Sequence, residues 1–365
     1  MEKLVPDLAD LPVALVRIGF GEFVANFDPL RPRQINWLMH REKVPNHLKV
    51  LLDLFLLCRE VGIPDLPDNL DWIPAVLVRY HLADVTEGRT LRLRHNMALL
   101  PILGRWLFCN PPGTGSKYYV GDDSLALMMR VMPSMGGTVL DLCAGSGLQS
   151  LHCAGWARQV TSVECDAEVA ALARVNVLLN SLGDRVTAFQ GDLFEPVLGQ
   201  RFDMVIANPP LLPYPDALPD HPIGQGGSNG MHVTCRILKG LQAAMADRGH
   251  AQIVSACLTD RFNQGLYDLV SPIARNHGLD IKVSVLSMQD MTENGHSIQA
   301  VIRAVAEEIS AELETVRQAY VDLLRQRNAT HLSFLLLLVT HGNGAIDMTD
   351  MSVSGSADLW HVDPL

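Results

Sequence analysis

The sequence predicts an α/β protein in which residues 116–365 form a seven-stranded, mostly parallel sheet with helices on both faces, preceded by a mainly helical domain over 1–115. Three observations carry this. From about residue 120 onward, short β-branched or fully apolar runs alternate with helical patterns. A Gly/Pro-rich stretch, CNPPGTGSKYYVGDDS (109–124), separates that region from one of different periodicity. Glycines, acids and an asparagine also stand just past several of the apolar runs, where ligands collect in sheets of this kind.

Size and composition agree. At 365 residues the chain exceeds the roughly 250 to 300 residues at which single cores stop growing, so two domains are expected. A hydrophobic content of 48% against 19% charged excludes disorder. No apolar run reaches the roughly 18 residues of a membrane helix, and MEKLVPDLADLPVALV carries no signal-peptide pattern, so the expected location is the cytoplasm, without a membrane partner. Seven cysteines, odd in number and without CxxC spacing, argue against a disulfide framework and a metal site. Residues 1–115 hold 13 basic and 13 acidic side chains, so the whole net charge of −11 falls on 116–365 (16 against 27). Affinity for nucleic acid comes largely from neutralising phosphates, so the acidic balance of 116–365 lowers the expectation of an RNA or DNA substrate.

In the N-terminal part, NHLKVLLDLFLLCREVG (46–62) has helical spacing, with Asn46 placed to cap its start and Gly62 to end it. DNLDWIPAVLVRYHL (68–82) follows as a second helix, and LADVTEGRTLRLR (82–94) reads as a hairpin turning at Glu87-Gly88. Two helices and a hairpin suggest a winged-helix-like module. Its neutral charge favours a lid or dimerisation role over nucleic-acid binding, and leaves a homodimer open.

The expected strands are 137–142, 159–164, 185–190, 203–208, 250–256, 281–286 and 332–340. A loop joins the third and fourth, while 298–328 reads as a long amphipathic helix or helix pair with Leu313, Val316, Tyr320 and Leu323 in the core. The residues past the strand ends carry the chemistry. Asp141 ends the first strand, and Gly145 and Gly147 form a tight turn before a helix starting near Leu148, where the backbone can approach a ligand and free N–H groups face it. Glu164 ends the second strand about 20 residues after the turn, placed to accept both hydroxyls of a ribose. Asp192 follows the third, placed to accept from an exocyclic amine such as adenine's. VIANPPLLPYP (205–215) then ends the fourth on Asn208 and two prolines, which removes two backbone donors and fixes two φ angles.

Taken in order, the lead-in YYVGDDSLAL, VLDLCAGSG, SVECDAEVAALARVN and ANPP resemble the class I S-adenosylmethionine-dependent methyltransferases, in the branch that carries Asn-Pro-Pro-aromatic, and the resemblance covers about residues 117–260. It implies a Rossmann-like fold and S-adenosylmethionine as cofactor. The cofactor-binding residues it implies are Tyr119, Asp141, Cys143, Ala144, Gly145, Gly147, Glu164, Cys165, Asp192, Leu193 and Asn208. Asn208, Pro209, Pro210 and Tyr214 are the catalytic residues it implies. Two positions depart from the pattern: Cys143 stands for a glycine, a small-for-small change, and Leu211 for the aromatic that stacks on a flat acceptor. Tyr214 could fold back to replace that aromatic or be a turn residue, and IGQGGSNGMHV (223–233) resembles the glycine-containing helix start of glutamine-type methyltransferases, either closing over substrate or simply connecting.

The resemblance implies methyl transfer to an amide or amine nitrogen of a small molecule or protein. The Asn208 oxygen and the Pro209 carbonyl would accept the nitrogen's hydrogens and aim its lone pair at the methyl carbon about 3 Å away. Two alternatives use the same residues. One is a cyclase that needs no partner beyond the cofactor, forming azetidine-2-carboxylate and methylthioadenosine. The other is an RNA or DNA N-methyltransferase. His152, His221 and His232 fall near these motifs without metal-ligand spacing.

Overall fold

The computed structural model describes residues 6–27, 34–111, 117–219, 226–292 and 295–352. Among the described residues, eight strands, not seven, follow the N-terminal region: β1 (Thr138–Leu142), β2 (Gln159–Glu164), β3 (Val186–Gln190), β4 (Phe202–Ala207), β5 (Met245–Thr259), β6 (Leu279–Asp290), β7 (His331–His341) and β8 (Ile346–Asp350). The seven expected from the sequence are all present. β8 escapes a pattern search because IDMTD is short and not fully buried, and only pairing with β6, from Ile281↔Ile346 to Val285↔Asp350, makes it a strand.

By contact the chain forms two compact units, Met1–Leu125 with Ala144–Gly191, and Ala126–Cys143 with Asp192–Leu365. In the second, the strand order is β8-β6-β7-β5-β4-β1. β1, β4 and β5 run parallel, as do β6 and β8, while β7 is antiparallel to both neighbours. β7 reads LSFLLLLVT because Leu335, Leu337 and Val339 are fully buried between β5 and β6. Each such side chain contributes about 1.5–3 kcal/mol. The expected helix pair is His296–Glu308 and Leu313–Arg327. Val316, Tyr320 and Leu323 are buried as expected, but Leu313 is 42% exposed, because it lies in the first turn of its helix.

In the first unit, β2 and β3 pair in parallel and the helices Leu148–Cys153 and Ala167–Leu179 follow the glycine turn and β2. Asp166 caps the second helix by accepting from the N–H groups of Glu168 and Val169. The expected helix over 46–62 ends at Phe55. Cys58 adopts a left-handed φ of 55°, and Val61 and Gly62 pair with Leu91 and Thr90, so Gly62 serves a strand instead of a helix end. Asn46 is the first helical residue and its side chain does not cap it; Pro45 occupies that position. The hairpin at Glu87-Gly88 is present, Ala83–Val85 against Thr90–Leu93. It belongs to a three-stranded sheet, and a second hairpin, Ala98–Ile102 with Arg105–Cys109, follows. With several further helices and two small sheets, this region goes well beyond two helices and a hairpin, and a winged-helix arrangement is not confirmed.

Candidate active site

The Ala144–Gly147 turn is built to stay open on one side. Gly145 has φ 56° and a Cβ there would meet nothing within 4 Å; Gly147 has φ 91° and precedes the first helical residue, Leu148. Both are conformations that L side chains rarely adopt. The turn is held from beneath: the Ala144 N–H donates to the Val163 carbonyl (3.1 Å), that of Gly147 to Ala144 (2.9 Å), and that of Gly145 to Glu164 Oε2 (3.0 Å). Ser146 is 2% exposed, and its Oγ has no hydrogen-bond partner among the described residues.

Glu164, 9% exposed, ends β2 with a carboxylate that also accepts from the Asp166 N–H (3.0 Å) and from Cys165 Sγ (3.3 Å) on Oε1. Desolvation of the sulfur and then that carboxylate push the Cys165 thiol up to about 11, so it stays protonated at neutral pH. Tyr119 folds over Gly121 and donates its hydroxyl to Asp123 (2.7 Å); a Cβ on Gly121 would fall 1.8 Å from that oxygen. An open glycine turn, an orphaned buried hydroxyl and an acid at the end of β2 fit an adenosyl cofactor.

In the other unit, the register Asp141↔Ile206 and Leu142↔Ala207 brings the carboxyl ends of β1 and β4 side by side, with Cys143 and Asn208 just beyond them. Asp141 is fully buried and Asn208 half-buried. Cys143 takes a left-handed φ of 55°, so the glycine it replaces is a matter of backbone conformation as well as of size. Leu193 is also left-handed (φ 48°) and buried. Asp192 forms an ion pair with Arg236 at 2.5 Å, a partner that sequence reasoning missed because it lies 44 residues away on the helix His232–Ala244.

The segment after Asn208 is a stitched loop. Pro209 and Leu211 are buried and Pro210 half-buried. Tyr214, 9% exposed, donates its hydroxyl to the Pro219 carbonyl (2.8 Å), and the Tyr320 hydroxyl donates to that of Pro213 (3.2 Å). Of the loop 223–233, residues 223–225 lie outside the described residues, as does His221. The remainder is anchored: Gly226 N–H to Leu212 O (2.7 Å), Tyr214 N–H to Gly227 O (3.1 Å), Leu258 N–H to Asn229 O (2.9 Å), and Arg327 to the Ser228 hydroxyl. Gly230 (φ 87°) sits so close that a Cβ would lie 2.5 Å from Ala256 O and 2.7 Å from Leu211 O. His232 is exposed, and burial lowers the His152 pKa.

A glycine turn between β1 and its helix, with an acid ending β2, defines a binder of a nucleoside-type cofactor. The profile of the methyltransferase small domain family matches residues 105–258. The putative protein N5-glutamine methyltransferase of Methanocaldococcus jannaschii is 30% identical over 150 residues, 39% of this chain and 73% of that protein. The ribosomal protein uL3 glutamine methyltransferase of Bradyrhizobium diazoefficiens is 35% identical over 134 residues, and the release factor glutamine methyltransferase of Geobacter sulfurreducens 42% over 80. These cover 33% and 21% of this chain but only 41% and 28% of the relatives. A solved structure, the T. Thermophilus 16S rRNA N2 G1207 methyltransferase in complex with AdoMet and guanosine, is alike over 57% of each chain at 21% identity and a TM-score of 0.37. The chain belongs to the class I S-adenosylmethionine-dependent methyltransferases; it is an enzyme that transfers methyl groups from S-adenosylmethionine.

Proposed function

We propose that this enzyme, acting in the cytoplasm, methylates a side-chain amide nitrogen of the glutamine type on a protein. The observation that carries the reading is Asn208-Pro209-Pro210 at the carboxyl end of β4, followed by a buried Leu211. An amide nitrogen is a poor nucleophile because its lone pair is delocalised. The Asn208 oxygen and the Pro209 carbonyl accept its two hydrogens and leave the lone pair toward the methyl carbon, and the proline rings keep both acceptors from turning away. Leu211 offers no flat ring, which disfavours a nucleobase acceptor. The glutamine methyltransferases among the relatives support an amide.

For the cofactor, Ala144, Gly145, Gly147 and Tyr119 line the methionine end with Asp141 and Cys143, Glu164 and Cys165 take the ribose, and Asp192 and Leu193 take the adenine. The cofactor supplies the electrophilic methyl group; the chain supplies orientation. Tyr214 closes its own loop and leaves no ring for stacking on the acceptor. Residues 1–115 act as a lid or dimerisation domain.

Asn208→Ala tests the reading. Cofactor affinity by calorimetry should be retained, and methyl incorporation from labelled cofactor into purified ribosomal proteins and release factors should fall about 10²–10³-fold, as when one preorganised polar partner of a transition state is removed. Full activity of the variant would sink the assignment. Methylthioadenosine formed without an acceptor would show the cyclase instead, and label in RNA the nucleic-acid alternative; the glutamine methyltransferase relatives favour neither.

A further inference from the structure

We propose that Asn176 is a positioning residue that ties the hairpin Ala98–Cys109 to the Ala144–Gly147 turn, so that cofactor binding and hairpin docking support one another. This rests on the reading that the turn holds S-adenosylmethionine.

The helix Ala167–Leu179 and the residue after it present two asparagines one turn apart, hence on one face. Asn180 accepts from the Trp106 N–H (3.0 Å) and donates to the Trp106 carbonyl (2.7 Å). Asn176 repeats this at Phe108, accepting at 2.8 Å and donating at 3.0 Å. The spacing is a physical match: four helical residues rise about 6 Å and two strand residues about 6.7 Å. Each primary amide therefore stands in for one residue of a missing partner strand, and the edge of the hairpin that β-pairing leaves open is closed.

The two asparagines differ in their remaining N–H. That of Asn180 returns to the Asn176 carbonyl within the helix (2.8 Å), whereas that of Asn176 donates to the Ser146 carbonyl (2.9 Å). Asn176 is fully buried, so all three of its bonds are made in a low-dielectric setting where none is replaced by water. Through it the carbonyl of the cofactor turn and the Phe108 peptide share one rigid planar group. By linkage, whatever orders the turn stabilises the docked hairpin, and the docked hairpin favours the binding-competent turn.

The test uses the full chain in four forms: unmodified, Asn176→Ala, Asn180→Ala and Glu164→Ala, with S-adenosylmethionine affinity from calorimetry. Both asparagine variants remove two hairpin bonds and should lower the melting temperature alike. Asn176→Ala should weaken the cofactor about tenfold and Asn180→Ala less than about twofold. Equal effects of the two on affinity would overturn the proposal, since hairpin docking alone would then explain both. An unchanged affinity in Glu164→Ala would instead show that the turn and its acid are not the cofactor site. Hydrogen exchange in the unmodified protein decides the matter if Asn176→Ala fails to fold: added cofactor should slow the Phe108 amide, and no change over 105–109 would overturn the coupling.

Discussion

Left-handed backbone at the glycine turn is the residue-scale feature with the clearest energetic consequence. Gly147 has φ 91°, and a Cβ there would make only ordinary contact with Ala173 at 3.5 Å. The cost of Gly147→Ala is therefore conformational, about 1–2 kcal/mol. Cys143 already bears such a conformation at φ 55°. Cys143→Gly relieves it but frees the unfolded chain by a comparable 0.5–1 kcal/mol, roughly cancelling. Urea unfolding should show Gly147→Ala clearly destabilised and Cys143→Gly within about 0.5 kcal/mol of the parent; a destabilisation at Cys143 equal to that at Gly147 would mean the thiol makes contacts worth more than its strain. Asp141, Gly145, Gly147, Glu164 and Asn208 were legible in the sequence because a strand followed by glycine or acid fixes them locally. Arg236 and Asn176 were not, since the first meets Asp192 across 44 residues and the second meets Phe108 across 68, and no local pattern encodes such a meeting.

At the scale of elements, the loop between β4 and the helix His232–Ala244 carries the acceptor side of the proposed chemistry. Its described residues, 208–219 and 226–231, are held by backbone-to-backbone bonds and by two tyrosine hydroxyls, so their shape is set before a substrate arrives. Tyr320→Phe removes one bond, to the Pro213 carbonyl, at a cost of about 1 kcal/mol. The acceptor KM should rise several-fold while cofactor affinity holds; a fall in cofactor affinity instead would detach this tyrosine from the acceptor loop. Gly230→Ala is far harsher, because both obstructing atoms, the carbonyls of Ala256 and Leu211, are backbone and cannot swing aside. It should abolish transfer. The sequence showed that this loop exists and contains glycines, but whether it was a free connection depended on Gly226–Asn229 bonding to 212, 214 and 258, which the sequence does not display. The helix over 46–62 overran for a related reason: apolar spacing continues to Val61, but pairing of Val61 with Leu91 outweighs local helix preference.

Over the whole molecule, acid stability follows from two half-buried histidines. Burial lowers His152, with Arg105 adding to it, and burial lowers His250 against a backbone hydrogen bond to Met132 that acts the other way. A histidine with a folded pKa below its unfolded value of about 6.5 binds fewer protons in the native state, so stability rises with pH through that window. The contribution is complete above about pH 6.5 and is lost as pH falls through the folded pKa of each ring. Asp280, held down by the N–H groups of Ala345 and Asn343, and Asp290, held down by Thr292, act in the same direction but lower, below about pH 4. The net charge of −11 opposes them, since protonation relieves self-repulsion. That field is diffuse and screened beyond about 10 Å at 0.1 M salt, whereas the desolvation of a half-buried ring is screened much less. The melting temperature at 0.1 M salt should therefore fall between pH 7 and 5, and the double variant His152→Gln/His250→Gln should flatten this limb while keeping the steeper loss near pH 4. A limb that survives in the double variant would assign the acid transition to the carboxylates alone.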